Sequence, residues 1–221
     1  MKRINFTKLT IKNFLSVGNE QVTVNFKNGL NVITGYNRDE EDIKNGVGKS
    51  VILDAFYFAI FGTTMRELPK QFIINRKIGK GAVVRLEFED ISSKRGEEYF
   101  VIERTLGPAK CRVWKNDIEK TKSSIAETNK YILEVLDADE DVFQNCVMMR
   151  ANSTVPFMGK KKTEKKNFIE SIFNLRVFSE MLKLVKDDIK EVRSKFDIEN
   201  SALSVMNENA ERYKTKIAEI Q

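Results

Sequence analysis

Lys49 and Ser50 close a short glycine-containing stretch, Asn45-Gly46-Val47-Gly48, and lead into an apolar run, Val51-Ile52-Leu53-Asp54-Ala55-Phe56. Glycines at 46 and 48 leave backbone N–H groups free to approach phosphate oxygens, and the positive end of a helix opening at Lys49 adds to that attraction. A lysine placed there reaches the β- and γ-phosphates of a nucleoside triphosphate, and the hydroxyl beside it is a magnesium ligand. A nucleoside triphosphate and Mg2+ are therefore the expected ligands. The expected contacts are Gly35, Asn45, Gly46, Val47, Gly48, Lys49, Ser50 and Val51, with Ser50 on the metal.

The elements that must position such a cradle are a strand before it and a helix after it. Leu30-Asn31-Val32-Ile33-Thr34, ahead of Gly35, reads as the strand, and the apolar run after Lys49 reads as a buried helix ending near Gly62. The spacing departs from the usual pattern. Twelve residues separate Gly35 from Gly48, where the ordinary phosphate loop has four. The surplus, Asn37-Arg38-Asp39-Glu40-Glu41-Asp42-Ile43-Lys44, is polar and carries four carboxylates, so it is expected to bulge away from the phosphates. Closing a longer loop costs little extra entropy. A glycine-rich turn before an ordinary buried helix is the alternative reading of the same residues.

Around this centre the chain alternates between β and α patterning. Residues 8–14 and 22–26 alternate polar and apolar side chains, and Lys27-Asn28-Gly29 is a turn, which predicts a hairpin running into residues 30–34. Residues 82–88, 99–104 and 111–114 predict an antiparallel meander broken at Ser92-Ser93-Lys94-Arg95-Gly96 and at Gly107-Pro108. Helical spacing begins near Ser123, a short helix near Asp139, and Val147-Met148-Met149-Arg150 reads as a strand. Beyond Phe173 the period changes to alternating steps of four and three, from Phe178, Leu182, Val185 and Ile189 through Tyr213, Ile217 and Ile220, with only Glu199 breaking the seam. That is a coiled-coil heptad pattern without proline or glycine. At 1.5 Å per residue the helix runs about 65 Å, too far to lie on one small domain. Gln221 falls in mid-heptad, so the chain is expected to be the N-terminal part of a longer polypeptide.

Composition excludes several classes of chemistry. There is no histidine, which rules out histidine acid–base catalysis and histidine metal ligation within these residues. Cys111 and Cys146 lack metal-site spacing. No apolar run approaches the roughly 20 residues of a membrane span, and the alternating start at Met1-Lys2-Arg3-Ile4-Asn5-Phe6 is unlike a signal peptide. A cytoplasmic location is expected.

The order of these features is similar to that of the SMC-like DNA-repair ATPases of the SbcC type, including the phage recombination-exonuclease ATPase subunits. Asn13-Phe14-Leu15-Ser16 resembles the family's opening turn, Ile60-Phe61-Gly62 its first-helix corner, and Phe72-Ile73-Ile74-Asn75 its strand return. Val155-Pro156-Phe157-Met158 resembles the phage members' link into the coiled coil. The resemblance implies an α/β fold: the N-terminal lobe of a P-loop ABC-type ATPase head, with a mixed β-sheet around a buried P-loop helix and an emerging long coiled-coil helix. Residues 1–175 are then the lobe and 176–221 the start of the coiled coil. Departures stand at Leu15, where members often carry arginine, at Val51, and at Ala151, where a Q-loop glutamine falls; Gln144 is the remaining candidate for a metal contact.

In that family the acidic strand, catalytic glutamate and signature loop lie in the C-terminal half. The resemblance thus implies no catalytic residue here, a nearly inactive fragment, and an ATPase activity restored by that missing half. It also implies ATP as the nucleotide, a second copy through ATP-sandwiched heads, a metal-dependent nuclease partner near residues 168–184, and DNA. Phe173, Leu175 and Leu184 are candidate docking contacts, with packing on the head as the alternative. Charges nearly cancel after Arg176, so the formal +6 belongs to the preceding part. Lys160, Lys161, Lys162, Lys165 and Lys166, with Lys77, Lys80, Arg85, Lys94, Arg95 and Arg104, are candidates for DNA backbone contacts; a solvated face is the alternative. An SMC-type clamp or tether without a nuclease competes with the end-processing reading, and the long heptad helix argues against a transporter ATPase.

Overall fold

The computed structural model describes residues 3–37, 46–92, 96–137, 140–148, 159–173 and 175–220, and the chain divides into two compact units, 1–140 and 141–221. The first unit is built on a six-stranded sheet of order β2-β1-β3-β4-β5-β6 with every pairing antiparallel. Its strands are β1 (Ile4–Lys12), β2 (Val22–Asn25), β3 (Ala82–Asp90), β4 (Glu98–Leu106), β5 (Lys110–Lys115) and β6 (Ile118–Glu119). Period-two alternation decides which face is covered. Ala82, Val84, Leu86 and Phe88 are buried on β3, Phe100 and Ile102 on β4, and Cys111 and Val113 on β5. Register lines up Val24, Leu9, Leu86, Ile102 and Val113 in one row across neighbouring strands. The meander expected from sequence is present. The last hairpin turns on Asn116 and Asp117, both left-handed at φ 48° and 63°, and β6 has too few residues to show a pattern.

α1 (Lys49–Phe61) packs on β3 and β4 and on α3 (Ile125–Leu136). Val51 and the continuous run from Asp54 to Ile60 are buried, as expected for a helix without a polar stripe. Phe6 meets Phe56 edge-on with centroids 4.7 Å apart, and Phe14 meets Phe58 at 5.3 Å. Full burial of a ring such as Phe14 or Phe58 contributes about 1.5–3 kcal/mol.

The helix stops at Gly62, which takes φ 77° and donates its N–H to Phe58 O at 2.9 Å. A Cβ there would lie 3.0 Å from Arg104 Nη1. Arg104 projects from β4 and is 3% exposed, with Nε on Ala59 O at 2.7 Å and Nη2 on Ile60 O at 2.7 Å and Asn129 Oδ1 at 2.8 Å. The cation thus caps the negative end of the α1 dipole. Burial pulls its pKa below the usual value, partly offset by Cys111. Arg104 is therefore no part of a DNA-facing surface, which corrects the expectation from charge alone.

The predicted hairpin into residues 30–34 does not form. β2 pairs with β1, the chain turns at Gly29 (φ 94°), and Asn31 closes the turn by donating from Nδ2 to Lys27 O at 2.7 Å. Residues 30–34 lie outside any strand, with Leu30 93% and Val32 74% exposed. An apolar stretch can hold a strand only where another strand supplies backbone partners, and residues 30–34 pair with none among the described residues. The resemblance to a strand return at residues 72–75 is met only in part: Lys70–Ile73 forms the short helix α2, and one isolated bridge joins Phe14 to Ile74.

α4 (Glu140–Val142) stands at the boundary of the units and continues into a π-helical turn, Phe143–Val147, in which Met148 N–H donates to Phe143 O at 2.9 Å. Val147 therefore sits in a turn where a strand was expected; residues 149 and 150 lie outside the described residues. α5 (Lys162–Ile172) and α6 (Arg176–Ile220) follow. α6 has 45 residues, about 67 Å at 1.5 Å each, and its heptad seam from Phe178 to Ile217 is exposed. Lys195 pairs with Glu191 and Lys214 with Glu211 off that seam.

Candidate functional site: an anion cradle at the start of α1

Gly46 and Gly48 adopt φ 78° and 84°, the left-handed region that favours glycine. Gly48 is the N-cap of α1, with no side chain capping the helix and no acidic residue in its first turn. Val51 N–H closes the first turn on Gly48 O at 3.0 Å. Lys49 is half-buried and Ser50 exposed at this end. Uncapped N-terminal amides, the dipole and a lysine together suit an anion. Ser50 stands beside Lys49 with its side chain open to solvent, so the residues present fit a magnesium ion held with a phosphate.

Gly35 reaches this cradle from the far side of the insertion. A Cβ built on it would lie 2.0 Å from Val47 Cγ2, 3.2 Å from Val47 Cβ and 3.3 Å from Lys49 Cγ. Only a residue without a side chain fits that approach. The structure therefore brings together Gly35, Gly46, Val47, Gly48, Lys49, Ser50 and Val51 in the first unit. Asn45 and the carboxylates of the insertion lie outside the described residues. Gln144 lies in the π-helical turn of the second unit.

A cavity of about 1050 Å3 opens over the cradle. One wall comes from the turn after β1, with Leu15, Ser16 and Gly18, and another from Arg66, Leu68, Phe72, Asn75, Arg76, Lys77 and Ile78. Three cations thus line the space beyond Lys49. Arg66 forms an ion pair with Asp54, which is 3% exposed on α1, and Arg76 stacks on Phe72 at 5.5 Å. Sequence reading did not assign Arg66, Arg76 or Asn75 to this site. Their spacing carries no motif, and an asparagine closing an apolar run, in Phe72-Ile73-Ile74-Asn75, was the one visible signal.

The lysines expected to meet DNA cluster at α5 in the second unit. Lys160 holds its ammonium 5.3 Å from the Phe168 ring centroid, Lys161 N–H donates to Glu164 Oε2 at 3.1 Å, and Lys166 pairs with Glu170 at 3.4 Å. Lys161 and Lys162 sit at the positive end of the helix, where cations are disfavoured by its dipole. Lys94 and Arg95 lie outside the described residues. Arg85 is engaged with Glu87 at 3.0 Å and with the Trp114 ring at 5.9 Å.

Among known proteins, a family model described as an AAA domain matches residues 8–221. The SbcC component of the nuclease SbcCD of Staphylococcus saprophyticus is 29% identical over 208 residues, covering 86% of this chain and 19% of that protein. Exonuclease subunit 2 of Escherichia phage RB69 is 25% identical over 228 residues, covering 97% and 37% respectively. A DNA double-strand break repair Rad50 ATPase of Thermoplasma acidophilum is 25% identical over 221 residues, covering 96% and 23%. The chain spans 19% to 37% of the length of these curated relatives. A solved structure described under ATP-driven dimerisation and DNA-stimulated activation of SMC ATPases matches with a TM-score of 0.51 and 22% identity, over 76% of this chain and 98% of that one. The fold is thus shared with that solved SMC ATPase structure, and the relatives are named as a nuclease subunit, an exonuclease subunit and a DNA double-strand break repair ATPase.

Proposed function

The chain belongs to the AAA domain family, and from that premise we propose that it is the nucleotide-binding part of an ATPase that controls a partner nuclease at DNA ends. The observation that carries this reading is the uncapped start of α1, with Lys49 and Ser50 behind left-handed Gly46 and Gly48 and Gly35 pressed against Val47. Lys49 and the first-turn amides bind the β- and γ-phosphates, and Ser50 takes the magnesium ion. The bound ion would polarise the phosphate oxygens. Arg66, Arg76 and Lys77 add positive field across the cavity.

Hydrolysis needs charge stabilisation from both sides of the phosphoryl group. We assign the second side to sequence outside these 221 residues, acting within the head and across a pair of heads that close on ATP. The bare apolar stretch around Leu30 and Val32 supports this, because paired strands from such a segment would cover it. The exposed seam of α6 calls for a returning helix in the same way. The relatives named as nuclease and exonuclease subunits favour a nuclease partner over a bare clamp or tether. DNA backbone contacts fall to Lys160, Lys161, Lys162, Lys165 and Lys166.

Adding the complementary half in trans tests the reading. The fragment alone hydrolyses almost no ATP, the mixture does, and Lys49→Ala abolishes the gain. Equal hydrolysis by the isolated fragment would contradict the two-sided site, and copurification of the full-length protein without any metal nuclease would favour the clamp.

A further inference from the structure

The turn between β1 and β2 is held both from within and by the segment packed against it. Asn13 and Leu15 both adopt left-handed backbone, at φ 52° and 49°, which asparagine tolerates but which costs leucine about 1–2 kcal/mol. Two local bonds close it, Asn13 N–H on Gly18 O and Val17 N–H on Phe14 O, each 2.9 Å. What clamps it is Asn75, 8% exposed, whose Nδ2 donates to Leu15 O at 2.8 Å and Val17 O at 3.2 Å. Leu15 N–H on Ile73 O at 2.7 Å and Asn75 N–H on Asn13 O at 2.9 Å complete the seam.

The same amide organises the opposite wall. Asn75 Oδ1 accepts from Lys77 N–H at 3.0 Å and Ile78 N–H at 3.3 Å, setting the turn that presents Arg76 and Lys77. Both donors and both acceptor sites of the side chain are thereby used. Aspartate would face two carbonyls with no proton to give, and serine is too short to span both walls. The clamped turn meets the phosphate loop at Ser16, whose Oγ lies 3.2 Å from where a Gly48 Cβ would stand.

We propose that Asn75 is a positioning residue for the triphosphate: it fixes the Ser16 turn and the Arg76–Lys77 turn at one separation across the cradle, so nucleotide affinity depends on it through Ser16. This role rests on the triphosphate reading of the cleft. A shift of about 1 Å in a binding group is enough to weaken its contribution strongly.

Calorimetric titration of the whole chain with Mg-ATP tests it, on wild type, Asn75→Ala, Asn75→Ser, Ser16→Ala, the double variant Ser16→Ala with Asn75→Ala, and Lys49→Ala. Serine at 75 can still accept from the Lys77 amide while losing both donors to the Ser16 turn. Asn75→Ala and Asn75→Ser should each raise Kd by about tenfold, or 1.4 kcal/mol, with unchanged far-UV spectra. Ser16→Ala should raise it less, and the double variant should bind no worse than Asn75→Ala, the non-additivity expected of residues acting through one contact. A purely structural asparagine would lower the melting temperature and spare this coupling. Wild-type affinity in Asn75→Ala, multiplying effects in the double variant, or unfolding of both position-75 variants would overturn the proposal. If Lys49→Ala binds as wild type, the triphosphate reading itself fails; if Lys49→Ala loses binding and Asn75→Ala does not, only the role of Asn75 fails.

Discussion

Substituting Gly35 by alanine tests how the cradle is assembled across its long insertion. The added methyl would lie 2.0 Å from Val47 Cγ2 and 3.2 Å from Val47 Cβ, whereas carbon atoms pack at about 3.5–4.0 Å. Relief therefore requires Val47 or residue 35 to move by roughly 1.5 Å, and Val47 lies between the two glycines that shape the loop. Displacement on that scale should weaken Mg-ATP binding by about tenfold or more, at least 1.4 kcal/mol. Fold stability should change little, because Gly35 lies outside the sheet. Val47→Ala removes the offending Cγ2 and leaves the nearest approaches at 3.2 Å to Cβ and 3.3 Å to Lys49 Cγ. The pair Gly35→Ala with Val47→Ala should thus recover most of the lost affinity. Titration calorimetry with parallel thermal melts reads both quantities. Wild-type affinity in Gly35→Ala, or loss of affinity that Val47→Ala does not restore, would refute the argument that Gly35 seats the loop.

Arg104→Met leaves Ala59 O and Ile60 O without their donors, each worth about 1–3 kcal/mol, and recovers part of the burial cost of the guanidinium. A net loss of about 2–4 kcal/mol is expected, read as a lower urea midpoint at unchanged slope; equal or greater stability would contradict the cap at the end of α1. Glu87 is buried on β3, and although burial raises its pKa, hydrogen bonds from Tyr99 and Arg85 and the charges of Lys8 and Arg85 outweigh this and hold it below the ordinary value. A folded pKa below the unfolded one gives stability that is present above the unfolded value, about 4.3, and lost as pH falls through the folded one. Glu87→Gln should therefore be destabilising near pH 7 and close to neutral in effect at acid pH, and a pH-independent difference in urea midpoint would contradict the assignment. Neutralising Lys160, Lys161 and Lys162 should weaken DNA binding and flatten its salt slope by about one unit per lost phosphate contact; unchanged affinity and slope would remove α5 from the DNA surface.

Much of the first unit was legible because its signals are local. The glycines flanking Val47, the lysine after them and an apolar run interrupted only by Asp54 define α1 and its open N-terminus without tertiary context. The alternation of β3, β4 and β5 is equally local. Residues 30–34 misled because apolar content announces a wish for pairing without naming the partner strand. Arg104 misled for the opposite reason: a charge in sequence looks solvated until the helix carbonyls that receive it are placed. The second wall of the cavity was illegible because Asn75, Arg76 and Arg66 act through backbone carbonyls, an aromatic ring and a buried aspartate that only folding brings near. Gly35 is the intermediate case, since its type was visible while its contact with Val47 spans the insertion.

The most direct test of the central claim is equilibrium binding of Mg-ATP to the chain, with and without Lys49→Ala. Saturable one-site binding is predicted for the wild type. A charge-assisted phosphate contact worth about 1.5–3 kcal/mol predicts a Kd about ten- to a hundredfold higher for Lys49→Ala. Binding that is absent in the wild type, or indifferent to the loss of Lys49, would contradict the account.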